Sequence, residues 1–176
     1  MKRTVIVFGL ISGLIVSVWM SVTVAICDAS GNFDGNMWVG YASMLLAFSL
    51  VFAGVKNYRD KYNGGFISFG KAFKLGLYIA LISSTLYVLT WLVAYYVFLP
   101  DFMEKYSAHA ISQMKSSGAT PAEIASKIKT MNTMKSMYNT PFGVILLTYM
   151  EIFPVGLVIA IISALVLKRK AVVALN

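Results

Sequence analysis

The chain has 176 residues, of which 59% are apolar or aromatic and 12% are charged. Soluble domains run about 45–50% apolar and about 25% charged. Half the usual charge, with a mean hydropathy of +0.75, excludes an ordinary soluble domain and a disordered chain alike.

Fifteen Lys and Arg against seven Asp and Glu give a net charge of +8. The basic residues cluster beside apolar blocks, so the excess reads as a membrane-topology signal rather than a nucleic-acid footprint. The single cysteine, Cys27, excludes an internal disulfide.

Four apolar blocks follow in chain order, at about residues 4–26, 37–55, 72–99 and 142–167. A helix rises about 1.5 Å per residue, so about 20 residues cross a hydrocarbon core of about 30 Å. All four blocks are long enough, and none shows the alternation of a barrel strand. Lys2-Arg3 ahead of the first block resembles the start of a signal peptide. The apolar run is longer than the usual 7–15 residues, however, and Ala25-Ile26-Cys27 is a poor cleavage site. A retained first span is expected. The predicted fold is all-α: one membrane domain over residues 1–176, built as an integral membrane four-helix bundle.

Orientation follows from Lys and Arg. Lys2 and Arg3 precede span one, and the segment after it holds Asp28 and Asp34 with no basic residue. Lys56, Arg59, Lys61, Lys71 and Lys74 lie between and beside spans two and three, and Lys168, Arg169 and Lys170 follow span four. The stretch from Leu99 to Pro141 dilutes five lysines with Asp101, Glu104 and Glu123. The positive-inside rule then places both termini in the cytoplasm of a cell (inner) membrane, with residues of about 100–140 outside.

That outer stretch is patterned. Asp101 and Glu104 fit a capping box after Pro100. Phe102, Tyr106, Ala110 and Met114 recur at helical spacing, and Gly118 suits a left-handed cap. Thr120-Pro121-Ala122-Glu123 starts a second helix with Ile124, Ile128, Met131, Met134 and Tyr138 as its apolar stripe. A two-helix amphipathic hairpin is predicted, either a structural cap or a surface for lipid or a partner. Met131, Met134, Met137, Met103, Met114 and the lone His109 suggest a soft-metal site only weakly, since methionine is also gap-filling core. No metal or other cofactor is expected.

Gly65 to Lys71 has phosphate-loop spacing, but Ala72 stands where a hydroxyl is needed and no strand precedes it. A tight turn at Asn63-Gly64-Gly65 is expected instead, with Phe66, Ile67 and Phe69 dipping into the membrane interface. Tyr58, Arg59, Lys61, Lys71 and Lys74 form a candidate lipid or partner contact at headgroup level.

Glu151 is the sharpest single feature. It lies about 9 residues into span four, roughly 5 Å outward of the midplane. An acid near the bilayer centre costs about 2.5–3.5 kcal/mol on the insertion scale, and such residues usually face the bundle interior. No Lys or Arg lies at matching depth, and Thr90, Ser43 and Ser17 are the expected hydrogen-bond partners. Pro154, three residues on, frees the Met150 carbonyl and predicts a kink. Glu151, Pro154, Thr90 and Ser43 therefore form the candidate intramembrane polar site. Gly9 and Gly13, Gly76 with Ala80 and Ser84, and Gly156 with Ala160 and Ala164 suit close helix packing, within one bundle or between two copies. No internal repeat is evident.

Several segments together resemble a bacterial membrane family catalogued as domain of unknown function 4199. They are Gly40-Tyr41-Ala42-Ser43-Met44, Tyr58-Arg59-Asp60, Asn63-Gly64-Gly65, Phe69-Gly70-Lys71-Ala72-Phe73, Pro100-Asp101-Phe102 and Glu151-Ile152-Phe153-Pro154-Val155-Gly156. The resemblance implies a small multi-helix membrane protein and no activity.

Two functional classes stand. One is a non-enzymatic scaffold or accessory protein acting through the hairpin or the basic loop. The other is a small transporter or channel subunit using Glu151, which with four spans would need a homo-oligomer. A lipid-modifying enzyme finds no catalytic pair. The expected partners are the lipid bilayer and a homo-oligomer or unidentified membrane protein, with no nucleic acid. A hydrogen-bonded, dry Glu151 favours the scaffold; one reached from a single side favours transport.

Overall fold

The computed structural model describes residues 1–31 and 37–170, with the Met37 side chain left aside. Asp34 lies outside the described residues. The chain is helical: α1 Lys2–Ser30, α2 Met37–Tyr62, α3 Phe69–Val93, α4 Phe102–Ser116, α5 Pro121–Tyr138 and α6 Pro141–Leu167. A π-helical turn, Ala94–Phe98, continues α3. Four of these helices are long and apolar enough to cross a membrane: Lys2–Ser30, Trp38–Tyr62, Phe69–Phe98 and Pro141–Leu167. The protein is an all-α, multi-pass membrane chain.

The helices outrun the apolar blocks that announce them. The sequence ends span two near Val55, yet α2 continues to Tyr62 and carries Lys56, Arg59 and Lys61 on its last turns. Charge stops a hydrophobic run without stopping backbone hydrogen bonding, and cations in a last turn complement the helix dipole. Glycines then make the reversal that the sequence requires. Gly64 and Gly65 hold φ of 65° and 81°, and the Gly65 N–H donates to the Arg59 carbonyl at 2.9 Å.

Ile67 differs from expectation. It does not rest in the membrane interface but is buried in the core, 1% exposed. Its N–H donates to the Arg169 carbonyl at 3.1 Å and the Arg169 N–H returns a bond to its carbonyl at 2.9 Å. This isolated antiparallel bridge ties the segment after α6 to the α2–α3 turn.

The bundle packs most extensively where α3 meets α6 and α1. Small residues make these approaches within one chain. A Cβ built on Gly156 would stand 2.9 Å from the Ala80 Cβ and from the Phe48 ring, and one on Gly9 would stand 2.8 Å from the Ile82 Cβ. Ser12 donates to the Ala47 carbonyl at 2.8 Å and Ser83 to the Gly9 carbonyl at 3.0 Å, linking α1 to α2 and α3. Phe48, Val51, Val55, Leu75, Ile79 and Ala160 are fully buried. They fill the half of the bundle nearest the basic residues. The outward faces are apolar as well: Leu46, Ile26 and Val166 are more than 60% exposed. In water such a belt would be an aggregation patch; against lipid it is the expected surface.

The α4–α5 hairpin covers the opposite end. Thr120 and Glu123 form the predicted capping box, and Gly118, at φ 77°, ends α4 as expected. The box predicted at Asp101 is not made. Asp101 instead pairs with Lys105 at 3.0 Å, while Glu104 pairs with Lys135 of α5 at 2.7 Å. Lys105 also reaches Asp28 of α1 at 2.7 Å. A local i,i+4 pair takes the Asp101 carboxylate and a tertiary pair takes that of Glu104, the two groups that a cap would have used. Asp28, then Asp101, holds the Lys105 ammonium above the usual lysine range.

Candidate functional site

α6 enters the bundle from the hairpin end. Thr140 caps it, accepting from the Gly143 N–H at 3.1 Å, and Pro141 fills the first helical position, where no N–H is needed. Ten residues, about 15 Å, bring it to Glu151. Glu151 itself is exposed on the folded chain, while Thr148 and Ile152 beside it are buried. The Thr148 hydroxyl is spent on its own helix, donating to the Val144 carbonyl at 2.7 Å.

Two cavities meet at Glu151. The first, about 320 Å³, lies beneath the hairpin. Its walls include Tyr87 and Trp91 of α3, Phe102 and Tyr106 of α4, Tyr138 of α5 and Thr148 of α6. The second, about 360 Å³, lies between α1 and α2 and is bounded by Val16, Trp19, Thr23, Val39, Ser43 and Met44. Glu151, Tyr87, Met20 and Val24 line both. No lysine or arginine lines either. Among the described residues the Glu151 carboxyl makes no hydrogen bond and no ion pair.

The aromatic wall is held by ring contacts across elements. Trp91 meets Phe102 edge to face at 5.1 Å, Phe102 stacks on Tyr106 at 6.0 Å, and Tyr95 meets Tyr138 edge to face at 5.2 Å. Burial pushes the Tyr138 phenol above its ordinary range, and the nearby Glu151 adds to it.

The expected partners of Glu151 fare differently from one another. Ser43 shares the second cavity but donates to the Gly40 carbonyl of its own helix at 2.6 Å. Thr90 donates to the Leu86 carbonyl at 2.9 Å and opens onto a separate groove along α1, with Ser21, Leu89 and Phe98. Ser17 is buried and lines neither cavity, and its hydroxyl has no hydrogen-bond partner among the described residues. None of the three bonds Glu151. Pro154 lies on the exposed side of α6, and the chain stays helical through it.

Sequence reasoning missed Tyr87, Trp91, Tyr106 and Tyr138 as neighbours of Glu151. Tyr87 and Trp91 are four apart on one helix, a readable face. Nothing local connects that face to α4, α5 or α6.

At the other end, Tyr58 is buried and Lys71 stands over its ring, 5.2 Å from the centroid. Lys71 also donates to Asn63 Oδ1 at 2.6 Å, and Arg59 pairs with Asp60 at 2.6 Å and donates to the Leu167 carbonyl at 3.4 Å. Lys74 lies over Tyr78 and Lys61 is exposed. The structure adds Lys168, Arg169 and Lys170, which border a cavity of about 670 Å³ with Asn63, Ser68 and Lys71.

No curated protein and no solved structure matches this chain. A family model described as a protein of unknown function, DUF4199, matches residues 7–169, and the chain belongs to that family.

Proposed function

We propose that this protein is a non-enzymatic membrane component that takes up a cationic species at Glu151. The observation that carries this reading is the unpaired carboxyl at the junction of two cavities. A carboxyl serving only as interhelical glue would be hydrogen-bonded across the bundle, because an ionisable group at membrane depth is costly without a partner. Here the Ser43, Thr90 and Thr148 hydroxyls bond their own helices, and none of them reaches Glu151.

The orientation belongs to the same reading. Lys56, Arg59, Lys61, Lys71, Lys74 and Lys168 to Lys170 gather at one end, which we take as cytoplasmic with both termini. The cavities then lie in the outer, hairpin half, while Phe48, Val51, Leu75 and Ile79 fill the inner half. One copy then offers a site in the outer half with a packed inner half beneath it. Passage across the membrane would need a second copy or a membrane-protein partner. This favours the transporter-subunit or accessory class over a purely structural scaffold.

The test is infrared difference spectroscopy on the protein in lipid nanodiscs, with the Glu151 carboxyl band assigned by its loss in Glu151→Gln. The band is expected to respond to pH or to added cations. A band that ignores both overturns the proposal.

A further inference from the structure

We infer that the species taken up at Glu151 is an organic ammonium ion bearing an apolar substituent, its charged head held in an aromatic cage beneath the hairpin. The inference rests on the reading of Glu151 as a cation site and names the ligand class.

The wall chemistry decides between cations. A hard metal ion needs about six to eight oxygen ligands. The first cavity offers one carboxylate, one threonine hydroxyl already donating to its own helix and a few phenol oxygens. Its remaining lining is Met20, Val24, Met103, Met134 and aromatic rings. Rings serve an alkylated ammonium instead, since its charge is spread over carbon and is attracted to π faces within about 6 Å. Tyr87, Trp91, Phe102, Tyr106 and Tyr138 surround the space that Glu151 borders, and they come from three different helices. Trp91 and Phe102 stand at 81° to each other, so the wall presents faces in more than one direction, as a cage requires. The carboxyl supplies the opposite charge, and neither cavity contains a lysine or arginine to compete for it.

Size and shape add the substituent. At about 320 Å³ the first cavity sits at the small end of ligand sites. The second, about 360 Å³, shares Glu151 and Tyr87 and is lined chiefly by Val16, Trp19, Val39 and Met44. A cation bound at the junction can lay an apolar group into it without leaving the carboxyl.

The experiment uses the full chain in nanodiscs and isothermal titration with benzyltrimethylammonium, its neutral carbon isostere neopentylbenzene, and sodium. Saturable binding of the ammonium is expected, at least about tenfold tighter than the isostere. Glu151→Gln should weaken it at least about tenfold, and Tyr106→Leu several-fold, with the neutral isostere unaffected by either. Tyr106 is only half-buried, so its variant tests the cage even if Glu151→Gln fails to fold. Equal binding of ammonium and isostere would overturn the inference by leaving an apolar cavity alone. A Glu151 band that responds to sodium or pH, with no ammonium binding, would overturn the ligand class while sparing the proposed function. No response of the band and no ammonium binding would overturn both.

Discussion

The carboxyl of Glu151 and the phenol of Tyr87 border the same two cavities, and neither group has a hydrogen-bond partner among the described residues. Glu151 is exposed on the folded chain, so at the depth its place in α6 gives it the carboxyl faces cavity or lipid and no partner group. Replacing it with an apolar residue removes the insertion cost and should therefore stabilise the protein in its apolar surroundings. Glu151→Leu is expected to raise the midpoint of thermal unfolding in detergent, by a gain of about 1 kcal/mol or more against an insertion cost of about 2.5–3.5 kcal/mol. Loss of stability would show that the carboxyl holds helices together. Stability gained together with loss of cation response is the pattern of a site maintained for function.

The helix contacts predict a contrast between two glycines. Gly156→Ala drives a methyl to 2.9 Å from Ala80 and Phe48, inside the packed core. Such overpacking costs about 1–3 kcal/mol. Gly70→Ala, in the first turn of α3, meets nothing within 4 Å. It should be neutral or stabilising by up to about 1 kcal/mol. Thermal unfolding of the two variants side by side checks both, and equal effects would contradict the packing described.

These particulars show what the sequence could and could not disclose. Hydropathy located four spans because each must match the bilayer by itself, and Thr120 with Glu123 revealed a cap because the motif is complete within four residues. Asp101 and Glu104 have the same local form. Asp101 turns instead to Lys105, four residues on, which also meets Asp28, and Glu104 turns to Lys135; the contacts with Asp28 and Lys135 lie in no short window. The same limit governed Glu151. Depth along the membrane normal nominated Thr90, but depth says nothing of direction around a helix. Thr90 opens onto the α1 groove, while Tyr87 and Trp91 carry the face that meets Glu151. The cage gathers α3, α4, α5 and α6, so no stretch of chain announces it.

The start of α5 should depend on pH. The Thr120 hydroxyl and N–H both donate to the Glu123 carboxylate at 2.7 Å, and these bonds hold that carboxyl below its ordinary range. A depressed folded value means that the contribution is complete above the unfolded value of 4.5 and is lost as pH falls through the lower folded one. Exchange protection of the Glu123 and Ile124 amides is expected to decline over that acid window. In Thr120→Ala, protection should be low throughout and nearly flat with pH. A wild-type profile without the acid decline would separate the cap from the ionisation of Glu123.

The bridge between Ile67 and Arg169 makes a backbone prediction independent of charge. The Arg169 N–H donates to Ile67 at 2.9 Å, so Arg169→Pro deletes that bond, while Arg169→Gln removes the guanidinium and keeps it. The bond spans a buried residue, and its loss should cost about 1 kcal/mol. Because Lys168 and Lys170 flank the bridge, Arg169→Pro should also release them from the cavity they line with Asn63, Ser68 and Lys71. Amide exchange at Ile67 reads this directly, since its own N–H donates to Arg169. Protection should persist in Arg169→Gln and fall in Arg169→Pro. Equal loss in both variants would mean that the guanidinium, through its charge, holds the segment in place and that the paired backbone merely follows.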